Sequence, residues 1–493
     1  MQFKSGTDVR GIAAEGVVGE NVNLTDFAVK RITESFALWL CRKLNSKPEN
    51  IKISVGHDSR ISAQRIKKAV TETLCECGFT VLSCGLSSTP AMFMTTVDLG
   101  CDAAIQITAS HHPFNRNGLK FFTRTGGLEG SEIAEILSLA EGEETLPVSC
   151  GNITEVDYMS DYSANLREMI KKGVNSDDYD LPLKGYKIVV DAGNGAGGFY
   201  AEKVLKPLGA DINGSQFLEP DGMFPNHIPN PENEKAMDSA RQAVLSVGAD
   251  LGIVFDTDVD RAAVVDSRGG EINRNRLIAL AACIALENSS GATVVTDSVT
   301  SDGLTYFINK ILGGKHHRFK RGYKNVIDEA IALNEKGIDC PLAIETSGHA
   351  ALRENYFLDD GAYLVTKIII TVARLGRVGK TIDMLLSELP EPAESVEYRI
   401  ALPHDSFKTV GANVLNSLMD FTQNHEGWSL APNNYEGVRI NVDKAFGDGW
   451  LLLRMSVHDP VMPLNIESNI EGGCDKIAAE FKKFLSKFEN LKI

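Results

Sequence analysis

Short apolar runs alternate along the chain with stretches in which apolar residues recur every three or four positions. Residues 52–55 predict a strand that ends in Gly56-His57-Asp58-Ser59-Arg60. Residues 62–77 then place Ile66, Ala69, Val70 and Leu74 on one helical face. Strands are predicted at 80–83 and 103–108, followed by a turn-rich segment from 109 to 118. The pattern restarts after a polar stretch at 140–155. It predicts a helix at 158–171, a strand at 187–191 and a helix at 201–208. A loop rich in Pro and Asn at 219–233 leads to a helix at 234–247 and a strand at 251–255. A third round begins near Asp266, with an apolar helix at 276–287, a strand at 292–296, helices at 301–312 and 325–333, and a strand at 342–344. Such alternation implies mixed or parallel sheets with helices packed on them.

Beyond Pro390 and Pro392 the character changes. Strands at 438–442 and 449–456 flank the turn Phe446-Gly447-Asp448-Gly449, a hairpin signal, and a helix is predicted at 473–488. The expected class is α/β: three similar mixed α/β domains, residues 1–155, 156–265 and 266–388, and a smaller C-terminal α+β domain, 389–493. No fixed-period repeat is visible.

Composition narrows the function classes. With 493 residues, 43% hydrophobic and 24% charged, the chain suits three or four globular domains. The longest apolar run, 277–286, is ten residues and too short to cross a bilayer. Lys and Arg number 50 against 66 Asp and Glu, a net charge of −16, and no basic run offers a grip for nucleic acid. Nine cysteines, odd in number and without CxxC pairs, argue against a disulfide framework or a zinc site. No secretory or transit pattern marks the amino terminus, so a cytoplasmic protein is expected.

Five segments carry candidate chemistry. Thr108-Ala109-Ser110-His111-His112-Pro113 puts a serine where an apolar strand gives way to a loop, with His111 and Lys120 at hand to activate it; a serine there equally suits an ST-turn. Asp256-Thr257-Asp258-Val259-Asp260-Arg261 follows an apolar strand with three alternate carboxylates that need a shared cation, and hard oxygen ligands suit Mg²⁺. An EF-hand is excluded, because the sixth and twelfth positions are Arg261 and Ser267. Gly193-Asn194-Gly195-Ala196-Gly197-Gly198 contains G-x-G-x-x-G, but Asp191 before it would face a pyrophosphate unfavourably. Glu345-Thr346-Ser347-Gly348-His349 can hydrogen-bond adjacent hydroxyls, as a sugar requires. Arg454 and Ser456 together can grip a phosphate.

In this order the segments resemble the α-D-phosphohexomutase family (phosphoglucomutase, phosphomannomutase, phosphoglucosamine mutase), and the similarity spans the chain from Thr7-Asp8-Val9-Arg10-Gly11 to Arg454. The resemblance implies four domains around a central cleft, each giving one loop: a phosphoserine loop, a metal loop, a sugar-recognition loop and a phosphate-binding loop. It implies that Ser110 carries a phosphoryl group, that one Mg²⁺ per chain is held by Asp256, Asp258, Asp260 and Ser110, and that Arg10, Arg261 and Lys120 balance its charge. Lys120 or His111 would serve as general acid/base. Glu345, Ser347 and His349 would bind the sugar, and Arg454 and Ser456 the phosphate already on it, with His458, which replaces the family's Thr donor, expected to donate a hydrogen bond in its stead. The Gly-rich run matches the opening turn of the family's second domain, which disposes of the dinucleotide reading.

The sequence departs from the family at several points. The last loop usually runs Arg-x-Ser-(Gly/Asn)-Thr-Glu-Pro, whereas Val457-His458-Asp459-Pro460 follow Ser456 here. His112 stands where Asn is common, and Thr257 and Val259 stand where Gly or Ala is common. Lys320 to Lys324, with Tyr323, lie where the family varies and would help to set sugar preference. The expected protein moves phosphate between O1 and O6 of a hexose, glucose or mannose phosphate, with a hexose 1,6-bisphosphate as intermediate and activator. Its partner is a small sugar phosphate, with neither nucleic acid nor membrane, in a monomer or homodimer. Phosphoglucosamine mutase, or a weakly active sugar-phosphate-binding homologue, is the alternative.

Overall fold

The computed structural model describes residues 2–456, 459–488 and 491–492. The chain divides into two compact units, residues 1–273 with 347–384, and residues 274–346 with 385–493.

In the first unit, Lys52–His57 is buried along nearly its whole length and pairs in parallel with Thr80–Leu86 on one side and Ala103–Ile107 on the other. A strand buried on both faces reads as a continuous apolar run, which is why period-two alternation is missing from it. The strand Arg116–Thr123 lies antiparallel to Ala103–Ile107 and to Asp8–Ile12, so the sheet is mixed. The turn-rich segment expected at 109–118 therefore gives way to strand at Arg116. The Asp26–Leu44, Ala63–Glu76 and Gly130–Glu141 helices bury Phe36, Leu40, Ile66, Val70, Ile133 and Ile136 in one core with Val55 and Ile105.

A second sheet in this unit has the order Glu271–Ile272, Ala262–Asp266, Leu251–Phe255, Ile188–Asp191. Leu251–Phe255 is parallel to Ile188–Asp191 and antiparallel to Ala262–Asp266, and Glu234–Val247 packs Met237, Ala240 and Val244 against it. The helix expected at 201–208 is a wide π turn, Tyr200–Leu205, closed by a 3₁₀ turn, Lys206–Leu208. Pro207 supplies no N–H to the ladder, so the regular α-helix cannot run through it. Residues 347–384 are held here by Asp360. Its carboxylate accepts from Tyr162 Oη at 2.8 and 2.9 Å and caps the Gly361–Gly376 helix by accepting from Tyr363 N.

In the second unit, Thr293–Thr296 is flanked in parallel by Lys315–Arg318 and Leu342–Ile344. The C-terminal part is an antiparallel sheet in the order Glu394–Ala401, Val461–Ser468, Gly449–Leu453, Val438–Val442, Trp428–Leu430. One face buries Ile440, Leu451, Leu453 and Ile466 beneath the helices Phe407–Gln423 and Gly473–Leu485. The expected hairpin is present: Val438–Val442 and Gly449–Leu453 pair, joined through a 3₁₀ turn at Lys444–Phe446. Among the described residues no helix is long and apolar enough to cross a membrane.

Candidate active site

In the first unit two strand-end loops carry the chemistry, and each contains a non-glycine residue in the left-handed region. Ser110 has φ 50° and Val259 has φ 67°. A β-branched residue there is strained, and such strain persists only where the surroundings enforce it. For the serine loop the enforcement is Arg60. Its guanidinium donates to the backbone carbonyls of Ser110, His112 (2.6 Å), Pro113 (2.7 Å) and Arg116 (2.9 Å). It is charge-paired to Asp58, 3.3 Å away, with both side chains fully buried. For the metal loop, Val259 O accepts from Gly361 N at 3.1 Å, and a Cβ at Gly361 would lie 2.7 Å from the Arg261 carbonyl carbon.

The Gly-rich run at 193–198 belongs to the same construction. A Cβ at Gly195 would sit 2.6 Å from Thr257 O, and Ala196 N donates to that oxygen at 2.8 Å. Its glycines admit the backbone of the metal loop.

These loops bring the expected residues together. Ser110 Oγ receives a hydrogen bond from Arg261 Nη2 at 3.1 Å, donates towards Asp256 Oδ2 at 3.4 Å, and lies 3.3 Å from His111 Nδ1. Asp256, Asp258 and Asp260 are buried with carboxylate oxygens that can converge on one ion. Among the described residues none donates a hydrogen bond to Asp258 Oδ1 or Asp260 Oδ1. Orphaned buried carboxylate oxygens are costly unless a cation takes them, so the donor set fits a hard divalent metal. Lys120 Nζ supplies part of that charge, at 3.2 Å from Asp258 and 2.5 Å from Asp260. Thr89 Oγ1 donates to Asp258 Oδ2 at 2.5 Å. Arg10 pairs with Asp8 at 2.9 Å and donates to Ala109 O, at the root of the serine loop.

Crowding divides the three carboxylates. Burial, reinforced by Asp260, raises the Asp256 carboxyl well above the carboxylate range. Burial acts on Asp260 as well, but Lys120, His349 and Arg261 outweigh it and hold that carboxyl below its ordinary value. The histidines divide too. Burial and the facing Arg261 guanidinium push His111 down to about 2, and burial with Arg10 pushes His112 to about 4. His111 Nδ1 accepts from Arg261 Nη2 at 2.7 Å, so its ring is neutral. His349 is half-buried; burial alone would lower it, but Asp359 and Asp260 raise it above its ordinary value, and its Nδ1 is hydrogen-bonded to Asp359. An isolated antiparallel bridge joins Arg261 to His349, stitching the aspartate loop to the loop after Leu342–Ile344. Ser347 is buried in this unit as well.

The second unit carries the other expected residues. Glu345 Oε1 accepts from Gly322 N at 2.6 Å, fixing the loop from which Tyr323 and Lys324 start a helix. Lys324 is paired to Asp328 on the next turn. Arg454 Nη1 lies 4.0 Å from Glu436 Oε1. Glu436 Oε2 in turn accepts from Ser298 Oγ at 2.5 Å and Arg321 N at 3.1 Å. Ser456 Oγ accepts from Asp459 N at 3.2 Å. The expectation for His458, and the departure at Val457, lie outside the described residues.

Models of the phosphoglucomutase/phosphomannomutase α/β/α domains I, II and III match residues 3–146, 161–270 and 273–393. The chain belongs to the phosphoglucomutase/phosphomannomutase family. It is thereby a phosphohexomutase-type isomerase of carbohydrate metabolism, and the carboxylate triad sits in the part matched by domain II. The chain is 28% identical to a phosphoglucomutase of Neisseria meningitidis over 478 residues, covering 97% of this chain and 96% of the relative. It is 27% identical to a phosphomannomutase/phosphoglucomutase of Pseudomonas aeruginosa over 488 residues, covering 98% and 96%. A family member from Burkholderia thailandensis superposes with a TM-score of 0.80 at 25% identity, over 99% of this chain and 97% of that one.

Four residues that matter here were not singled out from sequence: Arg60, Asp359, Gly361 and Glu436. Arg60 ends the Gly56-His57-Asp58-Ser59-Arg60 turn, and Asp359-Asp360-Gly361 opens a helix. Those placements were the available signals. Glu436 gives none, because the donors of its hydrogen bonds, Ser298 and Arg321, lie more than a hundred residues away.

Proposed function

We propose that the protein interconverts hexose 1-phosphate and hexose 6-phosphate, glucose or mannose phosphate in preference, through phosphoserine 110 and a bisphosphorylated sugar. The observation that carries this is Ser110 Oγ, buried between Arg261 Nη2 and Asp256 beside carboxylates with orphaned oxygens. PhosphoSer110 loses its phosphoryl group to the free hydroxyl of the bound sugar phosphate. The bisphosphate then returns its other phosphoryl to Ser110. Asp256, Asp258, Asp260 and Ser110 would hold one Mg²⁺, which supplies charge neutralisation at the phosphoryl oxygens. Arg261 and Arg10 add fixed positive charge, and Lys120 balances the carboxylates.

The attacking hydroxyl must give up a proton. Lys120 is engaged with two carboxylates, and His111 accepts from a guanidinium, which weakens it as a base. His349, held by Asp359 and raised above its ordinary value by Asp359 and Asp260, is a stronger base than His111, and we assign it that proton in place of Lys120 or His111. Glu345 and Ser347 bind the sugar hydroxyls, Tyr323 and Lys324 help to set sugar preference, and Arg454, Ser456 and His458 bind the second phosphate. Hexose 1,6-bisphosphate would prime the serine. A cytoplasmic monomer or homodimer without nucleic-acid partners completes the reading.

A coupled assay on glucose, mannose and glucosamine 1-phosphates, with Mg²⁺ and a trace of bisphosphate, tests it. Turnover of the first two supports the proposal. Turnover confined to the third moves the substrate to glucosamine phosphate. Binding without turnover identifies a weakly active homologue.

A further inference from the structure

Within the second unit, between the parallel strands and the C-terminal sheet, lies a cavity of about 240 Å³. Two of its lining residues are guanidinium groups. Arg318 and Arg439 donate to the same oxygen of Asp302, at 2.7 and 3.0 Å, so two cations share one carboxylate. The next acid, Glu467, is pushed up to about 7 by burial and is only partly charged at neutral pH. Arg439 is 4% exposed and stacks 3.6 Å over the Trp450 ring; its Nη1 donates to Ser298 O at 3.0 Å, and among the described residues its Nε has no hydrogen-bond partner. Burial and the neighbouring Arg318 lower the Arg439 guanidinium to about 9 against the opposing pull of Asp302.

The remaining lining is neutral or aromatic. The His316 ring nitrogens face Thr296 and Thr305 hydroxyls at 2.7 and 2.8 Å, and burial beside two arginines keeps that ring uncharged. His317 faces Glu329 at 3.0 Å. Its ring and that of Phe319 lie 5.3 and 5.0 Å from Tyr435, making an aromatic wall. Glu436 lines the cavity too, but Ser298 and the Arg321 backbone engage its carboxylate.

We propose that this cavity binds a small anion carried on a planar group, with the anion against Arg318 and Arg439 and the ring against Tyr435 and Phe319. Its volume is below the range of roughly 300–1,000 Å³ typical for drug-sized ligands, which suits an aryl phosphate or carboxylate and excludes a nucleotide. Guanidinium forks recognise such oxygens, and the aromatic wall gains area from a ring. Arg454, the proposed substrate-phosphate clamp, does not line the cavity, although Glu436, which does, lies 4.0 Å from it.

Calorimetric titration of the full chain with phenyl phosphate tests this, with inorganic phosphate and phenol as its two halves. Phenyl phosphate should bind more tightly than either half and should not be displaced by saturating hexose 1-phosphate. Arg454→Ala should retain that binding. Arg318→Gln and Tyr435→Ala should each weaken it by about tenfold, as expected for one lost charge-assisted or stacking contact. Tyr435 is 41% exposed, so its replacement leaves the fold intact even if Arg318→Gln does not. Absence of binding to the wild type overturns the proposal. So does displacement by hexose phosphate, loss in Arg454→Ala, or binding unaffected by Tyr435→Ala.

Discussion

Arg261 donates from Nη2 to Ser110 Oγ at 3.1 Å while its Nε donates to Asp256 Oδ2 at 3.2 Å. One buried guanidinium thus spans the serine and the first carboxylate of the metal loop. A phosphoryl group on that oxygen would meet positive charge on arrival. Ser110 should therefore be phosphorylated in active preparations, visible by intact mass before and after exposure to substrate. Ser110→Ala should lose mutase turnover, and full activity in that variant would remove the serine from the mechanism.

The orphaned oxygens of Asp258 and Asp260 lead to a second expectation. Asp258→Asn removes one anionic ligand but keeps its shape and can still accept from Thr89. Turnover should fall on the order of 10²–10³-fold, with weaker activation by added Mg²⁺ and little change in thermal midpoint. Unchanged metal dependence would mean that the acidic turn is only a buried hydrogen-bonding hub.

How far the sequence could be read follows from the range of the interactions. The strand Leu251–Phe255 and the helix Glu234–Val247 were legible to the residue, because a five-residue apolar run and a 3.6-residue period are local signals. The strand Arg116–Thr123 was hidden beneath the turn signals of His, Pro and Asn just before it. The serine and aspartate loops showed through residue type, since carboxylates at alternate positions after a buried strand need a cation. Arg60 did not show, because four backbone carbonyls of a loop fifty residues later leave no mark on composition. Asp359 escaped for the same reason: only the folded chain brings it to His349.

Arg60 is accordingly a sensitive position. Arg60→Met would leave Asp58 buried without its cation and free the loop that holds Ser110 at positive φ. Loss of one partner of a buried pair costs about 3–5 kcal/mol. Chemical denaturation should show a loss of that order, with turnover falling further than the residual folded fraction explains. A stability change under about 1 kcal/mol, typical of surface substitutions, would mean that the loop keeps its shape unaided.

Arg454 Nη1, which we propose holds the substrate phosphate, lies 4.0 Å from Glu436 Oε1 in the second unit. Arg454→Ala should raise KM for hexose 1-phosphate by the equivalent of about 2–3 kcal/mol, as for a lost charge-assisted hydrogen bond. Steady-state kinetics that find kcat reduced and KM unmoved would place Arg454 away from the ground-state phosphate.

His227 provides a pH-dependent stability test away from the carboxylate triad. Its Nε2 lies 3.0 Å from both oxygens of Asp191, and its Nδ1 lies 3.0 Å from the backbone oxygen of Ile228. A backbone carbonyl and a carboxylate can only accept, so the arrangement is satisfied in full by the imidazolium form. Burial opposes that charge, but the bond to Asp191 and its negative charge win, and the pKa is raised above the ordinary value. A group with a raised folded pKa contributes fully below its unfolded pKa, about 6.5, and the contribution is lost as pH rises through the folded value. The loop held in this way carries Asn230, which accepts from Arg261 Nη1 at 3.2 Å, so loosening it reaches the guanidinium over Ser110. The stability margin of the wild type over His227→Gln should be widest near pH 6 and shrink steadily towards pH 9, read as the difference in urea midpoints. Comparing the two proteins at each pH cancels the titration of every other group. A margin that stays constant across that range would mean that the ring is neutral and that one of its two hydrogen bonds is not made.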